Sequence, residues 1–214
     1  MAERTVVSKV TNAVLYSDGS IRIDKVRFSY PHVDKPMESE GDDGNKKSQY
    51  SITGMLPKAT HTAAKDLVKK VIQELMTKND VKVPTDKWFL ADGDKLAEED
   101  DKKELYAGHF IIKAAEKRRP SVRKPDGSVM SEREMEDAIY GGMWGSILLR
   151  PWYFNGKAKN GKTYPKRILA NFIACQKWKD DESFGEGRIS DDGVFESQDE
   201  GGGDGLNDDD SGGL

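Results

Sequence analysis

Residues 150–167, RPWYFNGKAKNGKTYPKR, combine aromatic and basic side chains in one short segment. Unpaired bases stack on aromatic rings at roughly 1–3 kcal/mol per base, and lysine or arginine neutralises phosphates with release of counterions. Aspartate and glutamate would repel phosphates, and residues 150–179 contain neither. This chemistry predicts a surface for single-stranded nucleic acid, with four stacking candidates: Trp152, Tyr153, Phe154 and Tyr164.

Basic residues form two clusters that could contact phosphates. The first lies within the aromatic segment and consists of Arg150, Lys157, Lys159, Lys162, Lys166 and Arg167. The second precedes it and consists of Lys117, Arg118, Arg119, Arg123 and Lys124. There is no zinc-finger or helix-turn-helix pattern, so we expect binding without sequence preference.

Each of these features has a structural alternative. Aromatic residues at alternate positions of a strand usually face the core, so either Tyr153 or the pair Trp152 and Phe154 is expected to point inward. The lysines of residues 155–166 could also form a solvated turn that contacts no ligand. A second basic cluster on a chain of net negative charge favours the binding interpretation.

Charge is distributed unevenly along the 214 residues. Residues 180–214 contain 13 acidic residues and one basic residue, a net charge of -12, whereas the whole chain has -4. Residues 1–179 therefore carry +8, which suggests a body that meets a polyanion. Residues beyond Asp181 are rich in Gly, Asp, Glu and Ser, and we expect them to be disordered.

The acidic tail could compete with nucleic acid for the basic body, because a linker keeps its carboxylates at high effective concentration. It could also recruit partner proteins once it is displaced, or serve only to keep the protein soluble. The candidate regulatory residues at its end are Asp208, Asp209, Asp210 and Leu214.

The elements that position these residues can be predicted from periodicity and turn chemistry. Apolar residues over 19–30 alternate in two sets that change parity once, which predicts a strand with a bulge or bend, and residues 31–48 have the composition of a loop. A strand over 48–56 and a helix over about 62–79 follow, and residues 80–104 are irregular.

The second half of the chain predicts three more strands, at residues 105–115, 143–154 and 167–178. A basic excursion at 117–129 turns at Pro125–Gly127. Ser131 and Glu134 form a capping box that starts a short helix, and Gly141 is its expected stop.

Five strands with a helix between the third and fourth is the element order of an OB-fold barrel. We therefore expect a mainly β domain over residues 1–179, with a helical insertion at about 60–100, followed by the acidic tail over 180–214. In an OB fold, ligands bind across the second and third strands and the loops after the first and fourth. Those loops correspond here to residues 31–48 and 155–166.

Catalysis finds little support in the sequence, and we expect no enzyme activity, cofactor or metal. His32, His61 and His109 are scattered, and Cys175 lies in an apolar alternating run typical of a packed strand. Nucleotide-binding and hydrolase motifs are missing. A single cysteine, no apolar run of about 18 residues and no signal-peptide core favour the cytoplasm, that of the host cell if a phage encodes the chain.

Residues 139–188 resemble a bacteriophage family of single-stranded-DNA-binding proteins, long catalogued as a domain of unknown function. The resemblance rests on a Y-x-G strand, an aromatic run, a glycine-lysine loop and a closing strand that contains Leu169, Asn171, Phe172 and Gln176. It implies coating and protection of single-stranded DNA in phage replication or recombination, with protein recruitment through the tail. Related tails usually end in an aromatic residue, whereas this one ends in Leu214.

Two alternatives remain open at this stage. One is a strand-annealing or duplex-binding recombination protein, and the other is a phage structural or protein-interaction module. We expect single-stranded DNA as the main ligand, replication or recombination proteins as candidate partners of the tail, no membrane contact, and a monomer or dimer.

Overall fold

The computed structural model describes residues 4–40, 46–157 and 161–184. Most of the regular structure is β, as predicted, and three α-helices accompany the strands. The strands are β1 (Val6–Val10), β2 (Ala13–Tyr16), β3 (Ile21–Glu40), β4 (Lys46–Pro57), β5 (Leu90–Asp92), β6 (His109–Glu116), β7 (Ser121–Arg123), β8 (Trp144–Phe154) and β9 (Arg167–Lys179). The helices are α1 (Lys58–Lys78), α2 (Gly93–Glu99) and α3 (Glu132–Ala138).

One strongly curved sheet contains all of these strands. Its order is β5-β6-β4-β3-β8-β9-β7, and the hairpin β1–β2 attaches to β3 through β2. In the described part of the chain this pairing path is open. Phe89 nevertheless links its two halves, because its N–H donates to Ile168 O of β9 and its carbonyl accepts from Lys113 N of β6, each at 2.9 Å.

The core fills the inside of the curve. Every second residue along the principal strands points inward, and the apolar face of α1 packs against these side chains. The core includes Phe28, Ile52, Ile112, Ile147 and Phe172 from the strands, and Leu67, Val68 and Ile72 from α1.

The five predicted strands and the helix between the third and fourth are confirmed, as β3, β4, β6, β8 and β9 with α3. The predicted bulge lies at Lys25, which has φ 54°, between the paired residues Ile23 and Val26. The capping box is also present, because Ser131 N donates to the Glu134 carboxylate at 2.8 Å.

The prediction of a loop over residues 31–48 is wrong. β3 continues to Glu40 and β4 begins at Lys46, so the two strands form a long arm that pairs Met37 with Gln49. Val33 is the one fully buried residue among 31–38, so this part of the arm carries no apolar alternation, which is the signal that reveals a strand in sequence. Pro31 and Pro36 are tolerated in β3 because each lies at a register shift, one before and one after His32, where the regular pairing with β4 is interrupted.

The remaining differences are smaller. The short strands β1, β2, β5 and β7 were not predicted, and α2 lies in the region taken as irregular. α1 starts four residues earlier than predicted, and α3 ends at Ala138, before Gly141. Over the described residues, no helix is both long and apolar enough to cross a lipid bilayer.

Gly54 allows β4 to pass close to three core side chains. A Cβ atom at this position would lie 2.7 Å from Val26, 2.8 Å from Ile147 and 2.9 Å from Ile112. We expect Gly54→Ala to lower the free energy of unfolding by about 1–3 kcal/mol, because overpacking strains a filled core. Urea denaturation would measure this, with Ser48→Ala on the same strand as the control; equal stability of both variants would contradict the close packing.

Candidate nucleic-acid interface

A cleft of about 930 Å³ opens on the outer face of β4 and β6. Ile52 and Ile112 point into the core, so their neighbours on the same strands must point outward. The end of the β8–β9 hairpin and the β3 arm form its walls. The outward residues that line it are Gln49, Ser51 and Thr53 from β4 and Lys113, Ala115 and Lys117 from β6 and the residue that follows it.

Three of the four predicted stacking residues line this cleft. Trp152 and Phe154 share the outer face of β8, and their rings meet edge to face at 6.1 Å. Trp152 keeps 37% of its surface exposed. Tyr164 joins them from the loop before β9, whereas Tyr153 packs against the core. Of the two orientations left open by the sequence, the structure therefore has Trp152 and Phe154 outside.

The loop between β8 and β9 contributes Tyr164 to the cleft and carries exposed lysines. Lys157, Lys162 and Lys166 are exposed, Arg167 lines the cleft, and Lys159 lies outside the described residues. A backbone hydrogen bond closes the base of the loop, where Tyr164 N donates to Gly156 O at 2.7 Å.

Four other predicted phosphate contacts are held by neighbouring groups. Arg119 forms two 2.7 Å bonds to the Glu132 carboxylate, and Arg123 donates to a backbone carbonyl. Lys124 pairs with Glu134, and Arg150 pairs with Asp18. The hydrogen bond from Lys124 lowers the pKa of Glu134 to about 2. None of these four lines the cleft; Arg118 is exposed beside Arg119.

Sequence reasoning missed several residues that line the cleft. Met37 lies on the arm that was taken for a loop, and Tyr30, exposed over 68% of its surface, ends the strand predicted over residues 19–30. Lys113 interrupts an apolar run of β6. A charged residue within such a run was the sequence signal that could have identified Lys113 as part of the candidate interface. Desolvation, with help from the charge of Lys103, lowers the pKa of Lys113.

The charge of the cleft lining favours anions. Lys113, Lys117 and Arg167 contribute three cations, and Glu116 is the one carboxylate among the lining residues. A phosphate backbone could therefore lie along the cationic side while bases face the rings of Trp152, Phe154 and Tyr164.

The start of the acidic tail is attached to the body beside this cleft. Arg27 donates to Glu182 O at 3.1 Å, and its guanidinium lies 4.4 Å from the centre of the Phe184 ring. Phe184 N donates to Gly141 O at 3.0 Å, and its ring packs near Tyr106, which lines the cleft. The expected disorder beyond Asp181 therefore does not extend to residues 182–184.

The remaining tail predictions concern Asp208, Asp209, Asp210 and Leu214, which lie outside the described residues. Among the candidate reactive groups, Cys175 is 2% exposed, and burial raises the pKa of its thiol to about 12. Within the described ranges, no three His, Cys, Asp or Glu side chains are grouped so that they could hold a metal ion.

Comparison with known proteins gives consistent matches. The family model described as Enterobacter phage Enc34, ssDNA-binding protein, matches residues 19–204. The solved structure of the single-stranded DNA-binding protein from bacteriophage Enc34 in complex with ssDNA is 37% identical, with a TM-score of 0.73, over 86% of this chain and 100% of that one. No curated protein matches.

Two further solved structures of the Enc34 protein give similar values. Its C-terminal truncation is 38% identical, with a TM-score of 0.73, and the match covers 86% of this chain and 99% of that one. A third structure of the single-stranded DNA-binding protein from bacteriophage Enc34 is 35% identical, with a TM-score of 0.72, and the match covers 91% of this chain and 100% of that one.

The contacts of Arg119 indicate a structural role that a substitution can test. We expect Arg119→Ala to lower the melting temperature, because it removes the bidentate pair with Glu132 and the 2.9 Å bond to Asp34 O. Arg118→Ala is the matched control, since Arg118 has no ion pair with the described residues. Thermal unfolding followed by circular dichroism would measure both, and equal melting temperatures would contradict the structural role.

Proposed function

The chain belongs to the family of phage single-stranded-DNA-binding proteins represented by that of Enterobacter phage Enc34, and we propose that it binds single-stranded DNA in phage replication through the cleft on β4 and β6. The family resemblance found in the sequence is thereby confirmed. Binding is independent of sequence, because stacking and phosphate contacts do not distinguish bases. The protein acts by coating and protecting its ligand, in the host cytoplasm, and not as an enzyme.

The observation that carries this proposal is the pairing of rings and cations in one cleft. Trp152, Phe154 and Tyr164 offer ring surfaces on the β8–β9 hairpin, where Arg167 pairs with Phe154, and Lys113 and Lys117 offer charge from β6 and the residue after it. A duplex buries its base faces by stacking and so cannot use the rings. The arrangement therefore favours an unpaired strand.

We assign the body to the OB-fold type. Five principal strands, the helix between the third and fourth, and a cleft over the second and third all support the assignment. The β3 arm takes the place of the first binding loop. We set the boundary of the binding domain at residue 184 instead of 179, because residues 180–184 contact the body.

We further propose that the acidic tail competes with DNA for the cleft and serves to recruit replication or recombination proteins when it is displaced. Arg27 and Phe184 hold the start of the tail next to Tyr106, at the edge of the cleft. A tether this close keeps the tail carboxylates at high effective concentration near the cations. The competition is electrostatic, so it weakens as salt increases.

The loop lysines can be tested through the salt dependence of binding. We expect the triple substitution Lys157→Ala, Lys159→Ala and Lys162→Ala to weaken binding to oligo-dT. The slope of log K against log salt should become shallower by about 0.7 per lost contact, or about 2 in total. A triple alanine variant of Lys69, Lys78 and Lys82, all exposed and distant from the cleft, is the control for net charge. A slope equal to that of the control would remove the loop from the binding surface.

The tail can be tested with two truncations. A chain that ends at Phe184 should bind oligo-dT more tightly than the full chain in dilute buffer, and the difference should shrink as salt is raised. A chain that ends at Lys179 also loses the Arg27–Phe184 contact, so we expect it to melt at a lower temperature. Fluorescence titration and thermal unfolding measure the two effects. Equal affinity of the full chain and the chain ending at Phe184 would contradict competition and leave the cleft proposal intact.

A further inference from the structure

A second hollow, of about 600 Å³, lies at the opposite end of the β8–β9 pair from the cleft. Trp144 begins β8 and pairs with Lys179 at the end of β9, and Trp178 is the neighbouring residue. None of the lining residues has a carboxylate, and the nearest one recorded is that of Asp181, which accepts a hydrogen bond from Trp144 Nε1 at 2.5 Å. The residues that line it are Thr11, Asn12, Lys25, Pro57, Ala59, Thr60, His61, Trp144, Trp178 and Lys179.

The exposure of Trp178 is not explained by the function proposed so far. Across the described residues, three Phe, Tyr or Trp side chains are more than a third exposed: Tyr30, Trp152 and Trp178. The first two line the cleft, and Trp178, with 48% of its surface exposed, lines the second hollow. A half-exposed indole next to a hollow offers a ring face on which an unpaired base can stack.

Two lysines bring positive charge to this ring. Lys179 Nζ lies 5.2 Å from the centre of the Trp178 ring, and Lys25 Nζ lies 5.7 Å from it. Lys25 has a left-handed backbone with φ 54° at the bulge of β3, a conformation that is uncommon for lysine. A ring with two adjacent ammonium groups can take one base on its face and the neighbouring phosphate on its charges.

A basic surface connects the hollow to the cleft. Trp144 and Trp152 lie on the same outer face of β8, eight residues or about 27 Å apart at about 3.4 Å per residue. Between them, a small hollow of about 260 Å³ beside Ser146 and Leu148 is lined by Arg4, Arg22 and Arg123. Arg150 extends this surface towards Trp152. Asp18 and Asp24 pair with three of the four arginines, which leaves the surface with net positive charge.

We propose that the hollow at Trp178 is a second binding site for single-stranded DNA, which we call the second station; the cleft is the first. It holds one stacked nucleotide of a DNA strand that runs from the cleft along the outer face of β8. The inference rests on the proposed function, because the same strand must occupy the cleft. It adds that a short oligonucleotide reaches the cleft alone, whereas a long one reaches both stations. Trp178, Lys25 and Lys179 then determine the length of DNA that one protein covers.

Length dependence of binding distinguishes the second station from the first. Affinities for oligo-dT of about 6 and about 30 nucleotides are measured by fluorescence anisotropy at constant salt. We expect Trp178→Ala to weaken binding of the long oligonucleotide at least about fivefold, the loss of one stacked base, and to leave the short one unchanged. Trp178→Phe should retain most of the affinity, and Lys25→Ala with Lys179→Ala should make the salt slope shallower for the long oligonucleotide only.

Trp152→Ala is the control, since it should weaken both lengths. If Trp152→Ala weakens binding while Trp178→Ala changes neither length, the second station is wrong and the cleft remains. Equal weakening of both lengths by Trp178→Ala would also overturn it, because the two sites would then be one. A change in sedimentation without a change in DNA affinity would identify the hollow as a contact between protein copies and overturn the proposal. Failure of the unsubstituted chain to bind either length would refute the proposed function itself.

Discussion

The alternation of side chains across the curved sheet is the constraint on which the interface depends. In a strand, neighbouring residues point to opposite faces, so burial of Ile52, Ile112 and Ile147 fixes which residues face solvent. A slip of one residue in the pairing of β8 with β9 would bury Trp152 and expose Tyr153. The apolar core thus positions the rings without contacting a ligand. Gly54 supports this register, because it lets β4 approach the core closely.

Charged groups divide into those that hold the body together and those that remain available to an anion. Arg119, Lys124 and Arg150 have carboxylate partners at 2.5–2.8 Å, and their charge is largely offset. Within the described residues, Lys113, Lys117 and Lys166 have no ion pair, and the first two line the cleft. Basic composition alone therefore overstates the binding surface, whereas cations without a carboxylate partner give a better measure of it.

Much of the fold could be predicted because the principal strands of the sheet carry a strong apolar alternation. The bulge at Lys25, the end of α1 and the capping box at Ser131 follow from local chemistry and were predictable for that reason. The arm over residues 31–40 was not, because Val33 is the one fully buried residue among 31–38 and a single buried position gives no apolar periodicity. Its residue Met37 was consequently missed as part of the candidate interface. The ion pair of Arg119 with Glu132 joins residues 13 apart and depends on a turn geometry that spacing does not reveal.

The outer face of β8 gives the body a direction along which a flexible polyanion can extend. Each site on this face is small, and one stacked base with its phosphate contributes only a few kcal/mol at most. Because these sites lie on one strand, they are already held in place relative to each other. Once one nucleotide is bound, the next contact forms within the same complex, so successive contacts along one ligand reinforce each other. Indole Nε1 of Trp144 also donates to Asp181 at 2.5 Å, which links the far end of this face to the start of the acidic tail. The residues that would bind the strand and those that anchor its competitor therefore share one framework, the paired strands β8 and β9.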